Sequence, residues 1–192
     1  MSSDDGGRSW TKPWPVLDQN NQPIPGFHIT VILLPSGSLG MVYSGYGIPG
    51  SHPGRNYGTT AAFRISKDEG RTWSEAIPID SHWSLCPSGH TIVLSSGRIL
   101  APAFRWISPI HSNDTEGWPE GWDDYEGAGA TLSYSYSYFS DDEGKTWDIS
   151  LSELFVSSSR AAYDLEEPTV VELKNGDVLM HMRSQLGRIY RS

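Results

Sequence analysis

The chain has one cysteine, Cys86, in 192 residues. That excludes an intrachain disulfide and any metal site built on several thiolates. Lysine is scarce, with four against ten arginines, and there is no basic run and no basic–aromatic patch, so the electrostatic footprint of a nucleic-acid binder is missing. The balance is acidic: 14 Lys and Arg against 23 Asp and Glu give a net charge of −9. No apolar run approaches the roughly 20 residues that cross a bilayer, so no membrane segment is expected. The first residues, Met1-Ser-Ser-Asp-Asp5, carry neither basic residues nor an apolar stretch, which predicts no signal peptide. Gly 20 and Pro 13 stay below the roughly 25–30% of low-complexity chains. Eight Trp and nine Tyr argue for a packed core rather than disorder, and a domain of this size buries roughly 70% of its unfolded surface. The bias to arginine favours carboxylate recognition, because a guanidinium presents a two-pronged donor edge.

What the sequence does have is repetition. Ser3-Asp-Asp5-Gly-Gly7-Arg-Ser-Trp10, Ser66-Lys-Asp68-Glu-Gly70-Arg-Thr-Trp73 and Ser140-Asp-Asp142-Glu-Gly144-Lys-Thr-Trp147 share the form S-x-D-x-G-x-x-W. Composition alone produces this pattern at a frequency on the order of 10⁻⁵ per window. Successive boxes are 63 and 74 residues apart. Between them recurs a second element, two apolar runs around a glycine: Val31 to Tyr43 around Gly37, Thr91 to Phe104 around Gly97, and Val170 to Arg183 around Gly176. Short β-branched runs about Ser-Gly or Asn-Gly read as hairpins. A repeat of this length, holding about four short strands, is one propeller blade. The box has a structural reading that needs no ligand. Its Asp accepts bonds from nearby backbone N–H groups and hydroxyls, its Gly permits a positive φ, and its Trp packs between sheets. Asp5, Asp68 and Asp142 are therefore not counted as site residues. Residues 150–163 are the best helix candidate and read equally well as a loop. Tyr134, Tyr136 and Tyr138 alternate with serine and share one strand face.

On these residues the chain resembles the sialidase (neuraminidase) superfamily, whose members carry Asp-boxes, or BNR repeats. The resemblance is strongest over Pro87-Ser-Gly-His90 to Pro102, similar to a G-x-G-h-x-i-x-L-x-x-G-R-l-v-x-P stretch. It is equally strong over Leu165-Glu-Glu-Pro-Thr-Val-Val-Glu-Leu to Arg183, similar to n-E-x-q-v-v-E-L-x-d-G-x-l-x-x-x-x-R. Glu-Glu-Pro-Thr departs from the commoner polar–E–x–Q. The resemblance implies an all-β fold: a partial six-bladed β-propeller, with residues 1–192 a single segment holding two whole blades at roughly 27–80 and 88–152 and parts of two more. It implies an internal fragment of an exo-sialidase-like glycoside hydrolase, inactive by itself, acting on a sialylated or other acidic glycan. No cofactor and no metal is expected. A lone arc of blades leaves two sheet faces uncovered, so self-association completing the ring is a further expectation.

The implied site holds three Arg that clamp the sugar carboxylate, a Tyr made nucleophilic by a Glu, and an Asp acid/base. Carried over residue by residue, Glu167 takes the place of the Tyr-activating Glu (catalytic) and Arg183 that of one carboxylate-binding Arg (substrate-binding). The other two Arg, the Asp and the Tyr map outside the chain. Without the resemblance, Glu167 reads as a strand residue, solvated or paired with a nearby Arg, and Arg183 as half of a surface salt bridge. Glu166 is the adjacent rival, expected on the opposite face of the strand, and Pro168 is expected to hold Glu167 extended. Arg98 reads as structural, and Arg105 is placed outside the site. The acidic 112–127 loop is a weak calcium candidate without regular ligand spacing, Asn113 begins a glycosylation sequon by pattern only, and the six histidines lack metal spacing. His90 and His181 fall within hairpin motifs and are candidates to line the axis. The alternative to an enzyme is a non-catalytic Asp-box propeller that binds glycans or proteins.

Overall fold

A computed structural model of the chain describes residues 2–45, 60–80, 90–107, 132–156, 165–184 and 187–192. Among them there is no helix. The strands are β1 (Gly26–Leu33), β2 (Leu39–Gly45), β3 (Thr60–Ser66), β4 (Ile77–Pro78), β5 (Ile92–Val93), β6 (Ile99–Ile107), β7 (Leu132–Ser140), β8 (Asp148–Ile149), β9 (Glu166–Glu172), β10 (Val178–Arg183) and β11 (Ile189–Arg191). They form three antiparallel meanders: β1-β2-β3-β4, β5-β6-β7-β8 and β11-β10-β9. Strand order follows chain order in each, the form of a propeller blade. Residues 2–16 carry the first box but no strand, and residues 150–156, the described part of the helix candidate, are not helical; Leu154 instead bridges Ser135.

The three hairpin glycines make one turn three times. Gly37, Gly97 and Gly176 sit at φ 85°, 89° and 87°. Each donates its N–H to the leucine three residues back, at 2.9, 2.8 and 2.9 Å. A three-residue loop closing on a left-handed residue is a standard hairpin solution, and glycine enters that region at least cost. The boxes repeat as closely. In the second, Asp68 Oδ1 accepts from Ser66 Oγ at 2.7 Å and Thr72 N at 3.0 Å, and Oδ2 accepts from Thr72 Oγ1 at 2.7 Å. Asp142 and Asp5 make the corresponding bonds with Ser140 and Thr146, and with Ser3 and Ser9. These donors favour the charged form. The Thr72 backbone N–H first, then the Ser66 and Thr72 hydroxyls, bring Asp68 from 3.8 down to about 2. The Thr146 hydroxyl leads in bringing Asp142 to about 2.

The main core lies between the first two sheets, where Ile32, Val42, Ala61 and Phe63 meet Ile99, Ala101, Ala103 and the three tyrosines. The Ser/Tyr alternation of β7 now has a physical meaning. Its tyrosines face the first sheet, while its serines are buried toward β9. Ser135 Oγ donates to the Leu165 carbonyl at 2.7 Å. Small hydroxylic side chains let the third sheet approach and satisfy its backbone at once. At the box end, neighbouring sheets are latched by carboxylates. Glu143 accepts from Ser36 N at 2.7 Å, and Glu172 accepts from Ser95 N at 2.7 Å and Ser95 Oγ at 2.5 Å. At the two ends of the arc Ile29, Val31 and Leu33 of β1 and Val171, Leu173 and Val178 of the third sheet stay exposed. These are the faces that the sequence reading gives to further blades or to a second copy.

Candidate functional site

Opposite the boxes lie the first residues of the leading strands β1, β5 and β9. β1 packs against β5, and β9 against β6 and β7. His90, just ahead of β5, bonds through Nδ1 to the Pro168 carbonyl of β9 at 2.8 Å. A carbonyl only accepts, so Nδ1 carries the proton and Nε2 of a neutral His90 is left as an acceptor. His28 of β1 lies close enough to feel the charges of both Glu167 and His90. Burial is the larger influence on it and lowers its pKa, with Glu167 opposing and His90 reinforcing. His28 Nδ1 is buried without a hydrogen-bond partner.

Glu167 and Arg183 meet here. The β9–β10 hairpin turns about Gly176 and its register sets Arg183 opposite Glu166. Arg183 Nε donates to Glu167 Oε2, and Arg183 Nη2 donates to Glu166 Oε2 at 2.8 Å. The two glutamates differ in exposure: the Glu166 side chain is 5% exposed and that of Glu167 is 48%. One sequence expectation is corrected at this point. Glu167 is not extended; its φ is +49° despite the following proline. The pairing register also slips between His181 and Arg183. Burial still alternates along β9, with Glu166 buried and Glu167 exposed, yet both carboxylates reach one guanidinium. His28, at φ +52° beside a second register shift in β1, is likewise left-handed. Non-glycine residues in this region are costly and gather where a fold over-determines them, sites included.

Sequence reasoning missed a third group at the same end. Arg105 Nη2 donates to Asp80 Oδ2 at 2.9 Å, and Tyr138 Oη donates to the same oxygen at 2.7 Å. Tyr136 and Tyr138 hydroxyls are 2.9 Å apart. Burial works against the Arg105 charge, but Tyr136, Tyr138, Tyr134 and Asp80 outweigh it and raise its pKa. The signal that could have found this group was the register of β6 on β7, which sets Arg105 beside the tyrosine ladder. Asp80 comes from another sheet and gave no signal. Arg98, by contrast, sits at the box end in a two-bond pair with Asp141, both at 2.7 Å, and covers the Phe139 ring. His181 is exposed on β10. Cys86, Asn113 and the 112–127 loop lie outside the described residues. Among the described residues no three His, Cys, Asp or Glu side chains gather as a metal site, and no helix is long and apolar enough to cross a membrane.

A family model described as a BNR repeat-like domain matches residues 1–192. No curated protein sequence matches the chain. Among solved structures, a Hadza microbial sialidase aligns over 99% of this chain and 37% of its own, with TM-score 0.63 and 20% identity. Trypanosoma rangeli sialidase, as the covalent intermediate with 2,3-difluorosialic acid, aligns over 99% of this chain and 30% of its own, with TM-score 0.58 and 16% identity. The same sialidase with sialic acid gives TM-score 0.57 over 99% and 30%, at 16% identity. At such identities the likeness shows the fold: this chain is a partial β-propeller of sialidase type and spans about a third of the length of those chains.

Proposed function

The chain belongs to the BNR repeat-like domain family over residues 1–192, and on that footing we propose that it is an internal part of an exo-sialidase-like glycoside hydrolase. The enzyme removes terminal sialic acid, or a related acidic sugar, from glycans with retention of configuration. The observation that carries this reading is the Glu167–Arg183 pair, within reach of His28 and away from the boxes.

A sialic acid carries its carboxylate on the reacting carbon. A guanidinium meets a carboxylate with charge-assisted, directional bonds, and that is the role of Arg183. A carboxylate nucleophile would be repelled by the substrate, whereas a neutral tyrosine hydroxyl is not. Glu167 takes the proton from that hydroxyl as it attacks the anomeric carbon, and returns it when water releases the sugar. The tyrosine, the Asp that protonates the leaving oxygen and two further Arg are supplied by chain outside residues 1–192. A fluorogenic sialoside assay on the full-length protein tests this. Fluorophore release supports the reading, and no release from a folded protein overturns it.

One observation favours a second reading, a non-catalytic propeller that binds glycans or proteins: Arg183 already contacts two carboxylates of its own sheet. Binding to a sialylated glycan array without turnover separates the two.

A further inference from the structure

Glu166 stands just before the residue to which the motif gives a catalytic role, at the motif's polar position, where the resemblance assigns it no role. Its side chain is 5% exposed and bonded to Arg183 Nη2 at 2.8 Å. A carboxylate this buried is costly unless it is paired, and Arg183 supplies a charged partner. The bond therefore fixes both groups. Arg183 itself is half exposed, at 48%, and on a strand tip a guanidinium with one anchor still swivels about that bond. Two anchors on different nitrogens, Nε to Glu167 and Nη2 to Glu166, define the plane of the fork. Of these two anchors Glu167 is the looser, because it is as exposed as Arg183 and stands on a left-handed kink.

We propose that Glu166 is a positioning residue that holds the Arg183 guanidinium in the plane needed to receive a ligand carboxylate. The proposal rests on the sialidase-like reading for the nature of that ligand, but not for the anchoring. The Glu166 carboxylate works in two opposite ways. It orients Arg183, which favours an incoming anion, and it adds a negative charge, which opposes one. Orientation prevails where a directional two-bond clamp is to be formed, since small misplacements of a binding group are costly and the Glu166 charge is already offset by its bond to the guanidinium.

The test uses the full-length protein labelled with ¹⁵N, following the Arg183 side-chain Nε–H signal. In the wild type this proton exchanges slowly with water. Glu166→Ala speeds its exchange at least tenfold, although Glu166 does not bond Nε, while Glu166→Gln, which keeps an acceptor oxygen, restores slow exchange. Circular dichroism checks that each variant is folded; if Glu166→Ala is not, the Gln and Asp variants carry the comparison, with Asp, one methylene shorter, exchanging faster than Gln. N-acetylneuraminic acid is then titrated in. It shifts the Arg183 signal of the wild type and binds about tenfold more weakly to the Ala variant, with recovery in Gln. Unchanged exchange in the variants overturns the positioning role. Tighter sialic acid binding in Glu166→Ala overturns it too, because the carboxylate then acts only as a competing charge. No shift with sialic acid in any form counts against the sialidase-like reading alone, and the exchange comparison still decides the role of Glu166.

Discussion

Gly144 of the third box offers a sharp test of how the first two sheets are joined. A Cβ there would stand 2.1, 2.4 and 2.7 Å from three ring atoms of Phe63. Phe63 is fully buried in the first sheet and meets Trp147 of the same box edge-on, with ring centroids 5.4 Å apart. Its ring has no room to retreat, because on its other side it faces Gly40. Gly144→Ala therefore has two costs. A left-handed φ of 86° costs an alanine about 1–2 kcal/mol, and overpacking a close-packed core adds about 1–3 kcal/mol. Gly176→Ala is the internal control, since its φ is 87° but nothing lies within 4 Å of the added Cβ. It should show the backbone cost alone, about 1–2 kcal/mol. Urea unfolding gives both values from the shift in midpoint at constant slope. A Phe63→Ala background removes the clash, so the double-mutant cycle should return a coupling of about 1–3 kcal/mol. Equal losses for Gly144→Ala and Gly176→Ala, or a coupling near zero, would refute the packing of box on sheet described above.

If the full-length protein turns over a sialoside as proposed, Glu167→Gln and Arg183→Ala should each lower kcat/KM by at least about 100-fold; losses under tenfold would remove both from the proposed roles. The boxes set an acid limit. Asp68 and Asp142 titrate at about 2 when folded, against 3.8 ordinarily, so the unfolded chain binds protons first. Their stabilisation is complete above about pH 5 and fades as the pH falls through 3.8 toward 2. The stability gap between wild type and Asp142→Asn should accordingly narrow from pH 7 to pH 2.5, and a pH-independent gap would contradict it. Arg98→Ala breaks a largely exposed pair and should change stability by no more than about 1 kcal/mol, with sialoside turnover unaffected.

Much of the scaffold was legible because its determinants are local. A Gly at the left-handed position, an Asp ringed by hydroxyls and N–H groups, and apolar runs around Gly176 each specify their own turn within a dozen residues. The pairing of Glu167 with Arg183 was legible for the same reason, since one hairpin connects them. What escaped depends on the backbone departing from strand geometry or on sheets meeting. Period-two reasoning separates Glu166 from Glu167 by burial, as observed, but does not show that both carboxylates reach Arg183. His28 carries no glycine to announce its positive φ. The Arg105–Asp80 bond joins residues of different sheets, and only the packing of those sheets brings them together.

The carboxylate latches, Glu143 on Ser36 and Glu172 on Ser95, join the hairpins at the rim away from Glu167 and Arg183. Registry between blades is thus set at one rim, and the proposed site lies at the other. Substitutions at the proposed site therefore leave the latches untouched, so the alignment of the blades and the properties of Glu167 and Arg183 can be varied separately.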